Sequence, residues 1–222
     1  MDNLIKICGL STPETLDAAL SAGADWVGFV RFPRSPRHVD LDVGRDLSGQ
    51  AKGRALRVVL LVDAEDADIA DALAALDPDL LQLHGHETPQ RVAAIRAAFG
   101  RPVVKALGVA DPSDLAALDS YGGAADHLLL DAKPPRGQGA LPGGNGLSFD
   151  WRLLVGLDPG LPFMLSGGLN PDNVAEAIRL TGTRAVDVSS GVEVRPGIKD
   201  PGKIEAFVKA ARAAYADRTH SH

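Results

Sequence analysis

Short apolar runs alternate with alanine-rich helical patterns along the whole chain, and this alternation constrains the fold more than any other feature. The first unit shows the pattern. The run Leu4 to Cys8 is followed by Ser11-Thr12-Pro13-Glu14, in which a hydroxyl cap precedes a proline suited to the first helical turn. Repetition of such units predicts parallel strands joined by helices. The predicted strands begin near residues 4, 26, 56, 80, 102, 127, 162 and 185.

The number of units distinguishes an open doubly wound sheet from a closed barrel. Dividing the 222 residues by eight gives about 28 per unit, enough for one strand, one helix and two short loops. An open sheet usually carries a G-x-G-x-x-G turn after its first strand, whereas here that turn is Cys8-Gly9-Leu10-Ser11. The sequence therefore predicts an α/β fold, a closed parallel (β/α)8 barrel of the TIM type. We expect one domain over residues 1–216, with residues 217–222 as a frayed C-terminal tail.

Composition and charge exclude several classes of function. Acidic residues outnumber basic ones, 29 to 23, and no block of like charge occurs, so we expect no binding of nucleic acid or of an anionic membrane. No apolar run approaches the length of a membrane span, and Met1-Asp2-Asn3 lacks the basic and then apolar start of a signal peptide. The single cysteine, Cys8, cannot form an internal disulfide. These features predict a soluble, cytoplasmic protein with no obligatory protein partner.

Two glycine-rich segments follow the predicted strands seven and eight. They read Ser166-Gly167-Gly168-Leu169-Asn170-Pro171 and Asp187-Val188-Ser189-Ser190-Gly191-Val192-Glu193. Glycines let backbone N–H groups approach an anion closely, and in eight-unit barrels these two loops are the usual place for a phosphate. The alternative is that each glycine only makes a tight turn. The predicted phosphate-binding residues are Gly167, Gly168, Ser189, Ser190 and Gly191.

Two reactive side chains are predicted at the carboxyl ends of strands one and six, on the same face of the barrel. Cys8 could act as a general base if positive charge or hydrogen bonds keep the thiolate ionised, and Lys6 points to the same side of its strand. Asp131 follows three leucines, and a carboxyl in such surroundings can act as a general acid. The alternatives are inert packing for Cys8, and a loop cap or a pair with Lys133 for Asp131.

Three arginines and two histidines add further candidates. Arg31, Arg34 and Arg37 follow strand two, and the charge of each would suit a carboxylate. His84 and His86 lie on one side of strand four and its exit, but no third ligand stands at a spacing typical of a metal site. We therefore expect no metal, and we expect His84 to act as a supporting hydrogen-bonding residue.

One segment breaks the regular spacing of the units. Residues 134–148 read PPRGQGALPGGNGLS and form the longest predicted loop, directly after strand six. Loops that follow barrel strands lie on the catalytic face, so this loop is a candidate lid over a ligand. The alternative is a tolerated insertion without a role in binding.

Several further motifs, in order along nearly the whole chain, accompany the two glycine-rich segments. They are Lys6-Ile7-Cys8-Gly9-Leu10, Asp25-Trp26-Val27-Gly28-Phe29-Val30, Ser35-Pro36-Arg37, Gln82-Leu83-His84-Gly85, Leu130-Asp131 and Phe149-Asp150-Trp151. Together these motifs closely resemble phosphoribosylanthranilate isomerases. The loop between Lys133 and Phe149 is longer, and richer in glycine and proline, than is usual in that family.

The resemblance implies an activity and a role for each matching residue. The activity is the Amadori rearrangement of N-(5-phosphoribosyl)anthranilate to 1-(2-carboxyphenylamino)-1-deoxy-D-ribulose 5-phosphate in tryptophan biosynthesis, without cofactor or metal. It implies Cys8 as the base, Asp131 as the acid and Arg37 as the residue that holds the anthranilate carboxylate. Asp187 and His84 would support substrate binding, and the two glycine-rich loops would hold the phosphate.

Three other functions remain as alternatives. The histidine-pathway phosphoribosyl isomerase of the same fold would have an aspartate at the end of strand one and a phosphate loop after strand three. Here strand one ends in Cys8, and residues 62–66 contain no glycine pair. Indole-glycerol-phosphate synthase would need a different lysine and glutamate set and a longer N-terminus. A non-catalytic phosphate-binding barrel would need the two loops but would not need Cys8 and Asp131 together.

Overall fold

A closed ring of eight parallel strands forms the centre of the molecule. The computed structural model describes residues 3–133 and 143–219. Each strand pairs with the next, and β1 closes the ring by pairing with β8, so the predicted parallel (β/α)8 barrel is confirmed. Every strand begins within about one residue of its predicted start. The strands are β1 Leu4–Cys8, β2 Trp26–Val30, β3 Leu56–Leu61, β4 Leu80–Leu83, β5 Val103–Val109, β6 His127–Ala132, β7 Phe163–Leu165 and β8 Ala185–Val188.

Helices surround the ring, but the described residues contain seven α-helices where the sequence predicts close to eight. They are α1 Pro13–Ala22, α2 Leu41–Ala51, α3 Asp66–Leu76, α4 Pro89–Phe99, α5 Pro112–Leu115, α6 Val174–Thr181 and α7 Pro201–Thr219. Between β6 and β7 the described chain forms a short 3₁₀-helix, Trp151–Leu154, in place of an α-helix. None of these helices combines the length and the apolar character needed to cross a bilayer.

Helix starts follow the caps in the sequence in α1 and α4 but not in α6. The Oγ1 atom of Thr12 accepts a hydrogen bond from the N–H of Thr15 at the start of α1, as the cap predicts. Asn170 and Pro171 are residues typical of a helix start, but helix α6 begins at Val174. The reason is that Asn170 and Asn173 bind backbone groups of the preceding turn, which holds that turn out of the helix.

The interior of the barrel is apolar at the amino ends of the strands and polar at the carboxyl ends. Alternate strand residues point inward, and those near the amino ends form one apolar cluster that includes Trp26, Val58 and Met164. Lys6 and Gln82, further along β1 and β4, are as fully buried as this cluster. A buried charge needs a partner, so the carboxyl end of the barrel is the place to look for chemistry.

The chain after β8 differs from the prediction in two ways. A 3₁₀-helix, Ser190–Val192, leads into an antiparallel hairpin of β9 Glu193–Arg195 and β10 Ile198–Lys199, which the strand pattern does not predict. Helix α7 then continues to Thr219, so residues 217–219 of the predicted tail are helical. Arg218 donates a hydrogen bond to the carbonyl oxygen of Thr183 at 2.8 Å, which anchors the last turn. Residues 220–222 lie outside the described part of the chain.

Candidate active site

A cavity opens at the carboxyl ends of the strands and brings the predicted site residues together. Of the predicted site residues only Gly191 does not line this cavity; it follows Ser190, which does, in the loop after β8. The predicted residues that line it are Cys8, Arg37, His84, Asp131, Gly167, Gly168, Asp187, Ser189 and Ser190. The strand-end positions and the family resemblance together therefore select residues that share one site.

Cys8 lies at the inner side of the barrel wall and is only 3% exposed. Burial raises the pKa of the Cys8 thiol above its usual value, and the nearby charge of Asp187 acts in the same direction. Lys6, two residues back on β1, opposes this effect by its positive charge, and the charge of Lys199 acts in the same sense as that of Lys6. The cation that a reactive cysteine would need is therefore present: Lys6 lies beside Cys8 and can stabilise its thiolate form.

Lys6 and Asp187 form a buried ion pair between adjacent strands. Lys6 Nζ lies 2.7 Å from Asp187 Oδ1, and Ser166 Oγ donates to Asp187 Oδ2 at 3.0 Å. Burial alone would lower the pKa of Lys6, but Asp187 and Cys8 together raise it above its ordinary value. Lys6 is therefore charged, and Asp187 holds that charge next to the thiol.

Asp131 is held at the cavity wall with one oxygen committed to the backbone. Its Oδ1 accepts from the N–H of Ala132 at 2.8 Å, whereas Oδ2 lies 3.4 Å from His84 Nε2. Lys133 does not pair with Asp131 but binds Asp114 on the far side of the loop. Oδ2 is therefore the oxygen of Asp131 that is available for proton transfer.

His84 connects Asp131 to a fully buried amide. Its Nδ1 lies 3.0 Å from Gln82 Nε2, and its Nε2 faces Asp131. His86, by contrast, is exposed on the loop, and its Nδ1 lies 3.0 Å from Asp63 Oδ2. The two histidines therefore do not share a site. In residues 3–133 and 143–219 no group of three or more His, Cys, Asp or Glu side chains could hold a metal ion.

Arg37 is the arginine that reaches the cavity. Arg31 turns away and donates to the carbonyl oxygen of Val39, and Arg34 lies over the ring of Phe32. The three arginines carry the same charge, so only their positions in the structure show which of them lines the cavity.

The guanidinium of Arg37 is largely engaged inside the protein. Its Nε and Nη2 donate to Glu193 at 2.7 and 2.9 Å, and Nη2 also donates to the carbonyl oxygen of Gly144 at 3.1 Å. These bonds engage two of its three nitrogens, so the fork of Arg37 is not free to bind a ligand carboxylate at two points. With Glu193 in place, Nη1 is the nitrogen left to bind a ligand.

Gly167 and Gly168 adopt backbone conformations that other residues avoid, with φ of +83° and +68°. A Cβ on Gly167 would lie 2.6 Å from the backbone nitrogen of Ala132, and one on Gly168 would lie 2.5 Å from Ser148 Cβ. Neither N–H group donates a hydrogen bond within the described part of the chain. Two free N–H groups at the cavity wall are what an anion site requires.

The loop after β8 packs directly on the loop after β7. A Cβ on Gly191 would overlap the carbonyl oxygen of Leu169, so only glycine allows this approach. The first N–H groups of the Ser190–Val192 3₁₀-helix have no partner within that helix. The two loops therefore lie side by side at the cavity, and we call residues 167, 168 and 189–191 the cradle.

The candidate lid enters the cavity at its described end. Residues 134–142 of the predicted lid lie outside the described residues, whereas residues 143–147 line the cavity. A Cβ on Gly143 would lie 2.6 Å from His84 Nε2 and 2.8 Å from Asp131 Oδ2. The backbone at Gly143 therefore lies directly over the proposed acid.

Residues 5–210 match the family of N-(5'-phosphoribosyl)anthranilate (PRA) isomerases. The chain belongs to the PRA isomerase family. An isomerase from Azorhizobium caulinodans is 60% identical over 212 residues, which cover 96% of this chain and 92% of that protein. One from Rhodopseudomonas palustris (strain BisB5) is 59% identical over 214 residues, covering 96% and 98% of the two chains.

Solved structures of PRA isomerases share the fold. The enzyme from Thermotoga maritima superposes with a TM-score of 0.84 at 35% identity, covering 95% of this chain and 98% of that one. A second PRA isomerase structure, in complex with reduced 1-(o-carboxyphenylamino)-1-deoxyribulose 5-phosphate, gives a TM-score of 0.81 at 34% identity, with the same coverage. The function of the chain is therefore the PRA isomerase reaction of tryptophan biosynthesis, an aldose-to-ketose isomerisation.

The sequence does not single out two buried residues beside this site, Glu193 and Lys199. Lys199 Nζ lies 2.9 Å from Glu193 Oε1 and donates to the carbonyl oxygen of Ser189 at 2.8 Å. Burial favours the neutral form of both side chains and lowers the pKa of Lys199, but Arg37 and Lys199 hold the pKa of Glu193 below its usual value. Glu193 ends a motif noted in the sequence, whereas Lys199 joins the site only through the hairpin that pairs it with Glu193.

Proposed function

We propose that Cys8 is the general base and Asp131 the general acid of the isomerisation. The observation that carries this proposal is that the thiol and the carboxyl line one cavity from β1 and β6, with the cradle after β7 and β8 between them. A substrate whose phosphate lies in that cradle would present its sugar ring to both groups.

The first step is protonation of the ring oxygen of the ribose. Asp131 Oδ2 gives its proton to that oxygen, the bond from the oxygen to C1 breaks, and the nitrogen lone pair forms an iminium with C1. Because Asp131 Oδ1 accepts from the N–H of Ala132, Oδ2 is the oxygen left to carry the proton. The backbone at Gly143 helps to exclude water from this oxygen.

The second step is removal of the proton from C2. The iminium makes this proton acidic, and Cys8 takes it as thiolate, leaving an enolamine. Burial raises the pKa of the free thiol, but Lys6 and the new cation of the substrate both favour the thiolate. Ketonisation then moves the proton of the Cys8 thiol to C1 and the proton of the C2 hydroxyl to Asp131, so both groups return to the protonation states in which they began.

The two ends of the substrate are held by different parts of the cavity. The phosphate accepts hydrogen bonds from the backbone of the cradle, residues 167, 168 and 189–191, and the anthranilate carboxylate binds Nη1 of Arg37. A ligand with a carboxyphenyl group at one end and a phosphate at the other, such as the one bound in the related structure, satisfies both. This makes the ligand a small phosphosugar conjugate.

Kinetics of near-isosteric variants test the two roles. Cys8→Ser and Asp131→Asn preserve shape, and each should lower kcat by about 10²- to 10⁴-fold, with a much smaller change in KM. The loss of substrate fluorescence follows turnover, and thermal unfolding confirms the fold of each variant. Near-normal kcat in either variant would contradict the role assigned to that residue.

We also propose that the enzyme acts in the cytoplasm. The proposed base is a free cysteine, and a reducing compartment preserves the thiol. Fractionation of the source cells, with detection of the protein by antibody, tests this; recovery outside the cytoplasmic fraction would contradict it.

A further inference from the structure

Gln82 occupies a position where an apolar residue would be expected. It lies on the inner side of β4, is completely buried, and lines the cavity beneath His84. Its Nε2 lies 3.0 Å from His84 Nδ1, while its Oε1 has no hydrogen-bond partner among the described residues. A buried amide with one unused oxygen is unfavourable, which indicates that the oxygen is used in another state of the site.

The orientation of this amide determines where the ring proton of His84 lies. With the amide in this orientation its NH₂ group donates, so His84 Nδ1 accepts from it, and a neutral ring would carry its proton on Nε2. Asp131 Oδ2 lies 3.4 Å from this nitrogen. In this arrangement His84 stabilises Asp131 as a carboxylate, which cannot donate a proton.

A half-turn of the same amide supports the opposite arrangement. Oε1 of Gln82 would then accept a proton on His84 Nδ1, and the lone pair of Nε2 would accept from a protonated Asp131 Oδ2. Conversion of the first arrangement into the second takes up one proton from solvent. This second arrangement holds Asp131 in the form that a general acid needs.

We propose that Gln82 is a positioning residue for the acid step, whose amide presents either a donor or an acceptor to His84 and so allows Asp131 to hold its proton. The proposal rests on the proposed role of Asp131 as the acid. Glutamine is suited to this position because one side chain can satisfy both proton states of the histidine, whereas a carboxylate satisfies only one and an apolar residue neither.

The other groups around the pair do not supply this function. The inward residues of β3 and β5, on either side of β4, include the apolar Leu60 and Ala106. Lys105 of β5 points to the outer face, where it lies 2.7 Å from Glu87. The titratable groups that share the cavity with the pair are Cys8, Arg37 and Asp187, and Lys6 lies beside Cys8.

Two substitutions separate the states that Gln82 serves. Gln82→Glu offers only an acceptor to His84 Nδ1, so Asp131 should keep its proton to higher pH, and the alkaline fall of kcat/KM should move up by about one pH unit. Gln82→Met has nearly the same length but offers no hydrogen bond. When Asp131 is protonated, the N–H at His84 Nδ1 then has no acceptor, so the alkaline fall of kcat/KM should move to lower pH.

Nitrogen NMR of the histidine side chains measures the equilibrium between the two protonation arrangements of His84 in the absence of turnover. The signals of His84 are identified by their loss in His84→Gln, since the chain has six histidines. The wild type should carry the ring proton on Nε2 above the alkaline limb and a proton on Nδ1 below it, and Gln82→Glu should keep Nδ1 protonated to higher pH.

The outcomes distinguish this inference from the proposed function. The role of Gln82 would be overturned by either of two results. One is that the alkaline fall of kcat/KM lies at the same pH in both variants as in the wild type; the other is that His84 carries its proton on Nε2 alone at the pH of full activity. The wild-type NMR result decides the question even where a variant fails to fold. Normal turnover by Asp131→Asn would instead contradict the proposed acid, while the state of His84 would still be read from its own signals.

Discussion

Arg37 and Glu193 form a buried two-point ion pair, with distances of 2.7 and 2.9 Å, although 156 residues separate them in the chain. Glu193 thereby fixes the guanidinium at the cavity, and Nη1 is the nitrogen that makes no hydrogen bond among the described residues. The pair also joins the loop after β2 to the hairpin after β8. The proposed binding of substrate at Arg37 therefore depends on a geometry that only a guanidinium can satisfy.

The substitution Arg37→Lys tests this dependence. Lysine keeps the charge, but a single ammonium cannot bind Glu193 and also reach the anthranilate carboxylate. We expect KM to rise roughly tenfold or more, with a smaller fall in kcat, because about 1.4 kcal/mol of binding is lost. Arg45→Lys, in an exposed pair on α2, is the matched control. Steady-state kinetics with an unchanged KM for Arg37→Lys would contradict the assignment.

The pair of Lys6 and Cys8 leads to a prediction about thiol reactivity. Of the two positive charges that oppose the effect of burial, those of Lys6 and Lys199, Lys6→Met removes the one with the larger effect, so the pKa of Cys8 should rise further. The thiolate fraction then falls at any given pH, and the acid limb of kcat/KM moves to higher pH. The rate of alkylation by iodoacetamide should fall about tenfold at pH 8.

The chain suits this measurement because Cys8 is its only cysteine. The double variant Lys6→Met with Asp187→Asn is the control, since it removes both charges and restores part of the reactivity. Equal alkylation rates in the wild type and in Lys6→Met would show that Lys6 serves only to fill the barrel.

The strands and the site residues at their carboxyl ends could be predicted from the sequence because both depend on local patterns. Each apolar run has the length of a strand, and a residue at its end lies on the catalytic face of a barrel. Cys8, Asp131 and Asp187 are of this kind, and the structure places all three at one cavity. Their individual roles remain predictions.

The partners of these residues could not be predicted because they depend on contacts between distant segments. Glu193 is conspicuous in the sequence, but no local pattern indicates that it takes up most of the fork of Arg37. Gln82 sits within an apolar run, and its orphaned oxygen appears only when its neighbours are known. Likewise, the helical end of the predicted tail depends on a contact between Arg218 and Thr183.

A stability prediction concerns the opposite end of the barrel, where Asp79 binds Arg57. Asp79 Oδ2 accepts from the backbone N–H of Arg57 at 2.7 Å and from Nε at 3.0 Å. Burial alone would raise the pKa of Asp79, but these hydrogen bonds hold it below its usual value. The stabilisation is therefore complete above about pH 4, the ordinary range of a carboxyl, and is lost as the pH falls through the lowered pKa.

Asp79→Asn should thus lower the free energy of unfolding by about 1–2 kcal/mol at pH 7. The difference from the wild type should shrink on going to pH 3. Asp71→Asn, at an exposed position of α3, should have little effect at either pH. Urea unfolding at the two pH values measures this, and a difference that grows toward pH 3 would be inconsistent with the lowered pKa.

The last prediction uses the glycines of the cradle. Gly167 and Gly53 both have positive φ, +83° and +77°, but a Cβ on Gly167 meets the backbone of Ala132, whereas a Cβ on Gly53 meets nothing within 4 Å. Both alanine variants therefore carry the backbone strain of about 1–2 kcal/mol, and only Gly167→Ala must also displace the cradle. We expect Gly167→Ala alone to raise KM, and to raise the inhibition constant of inorganic phosphate roughly tenfold, by the loss of about 1.4 kcal/mol of anion binding. Equal inhibition constants in the two variants would mean that the N–H groups of this loop do not bind the phosphate.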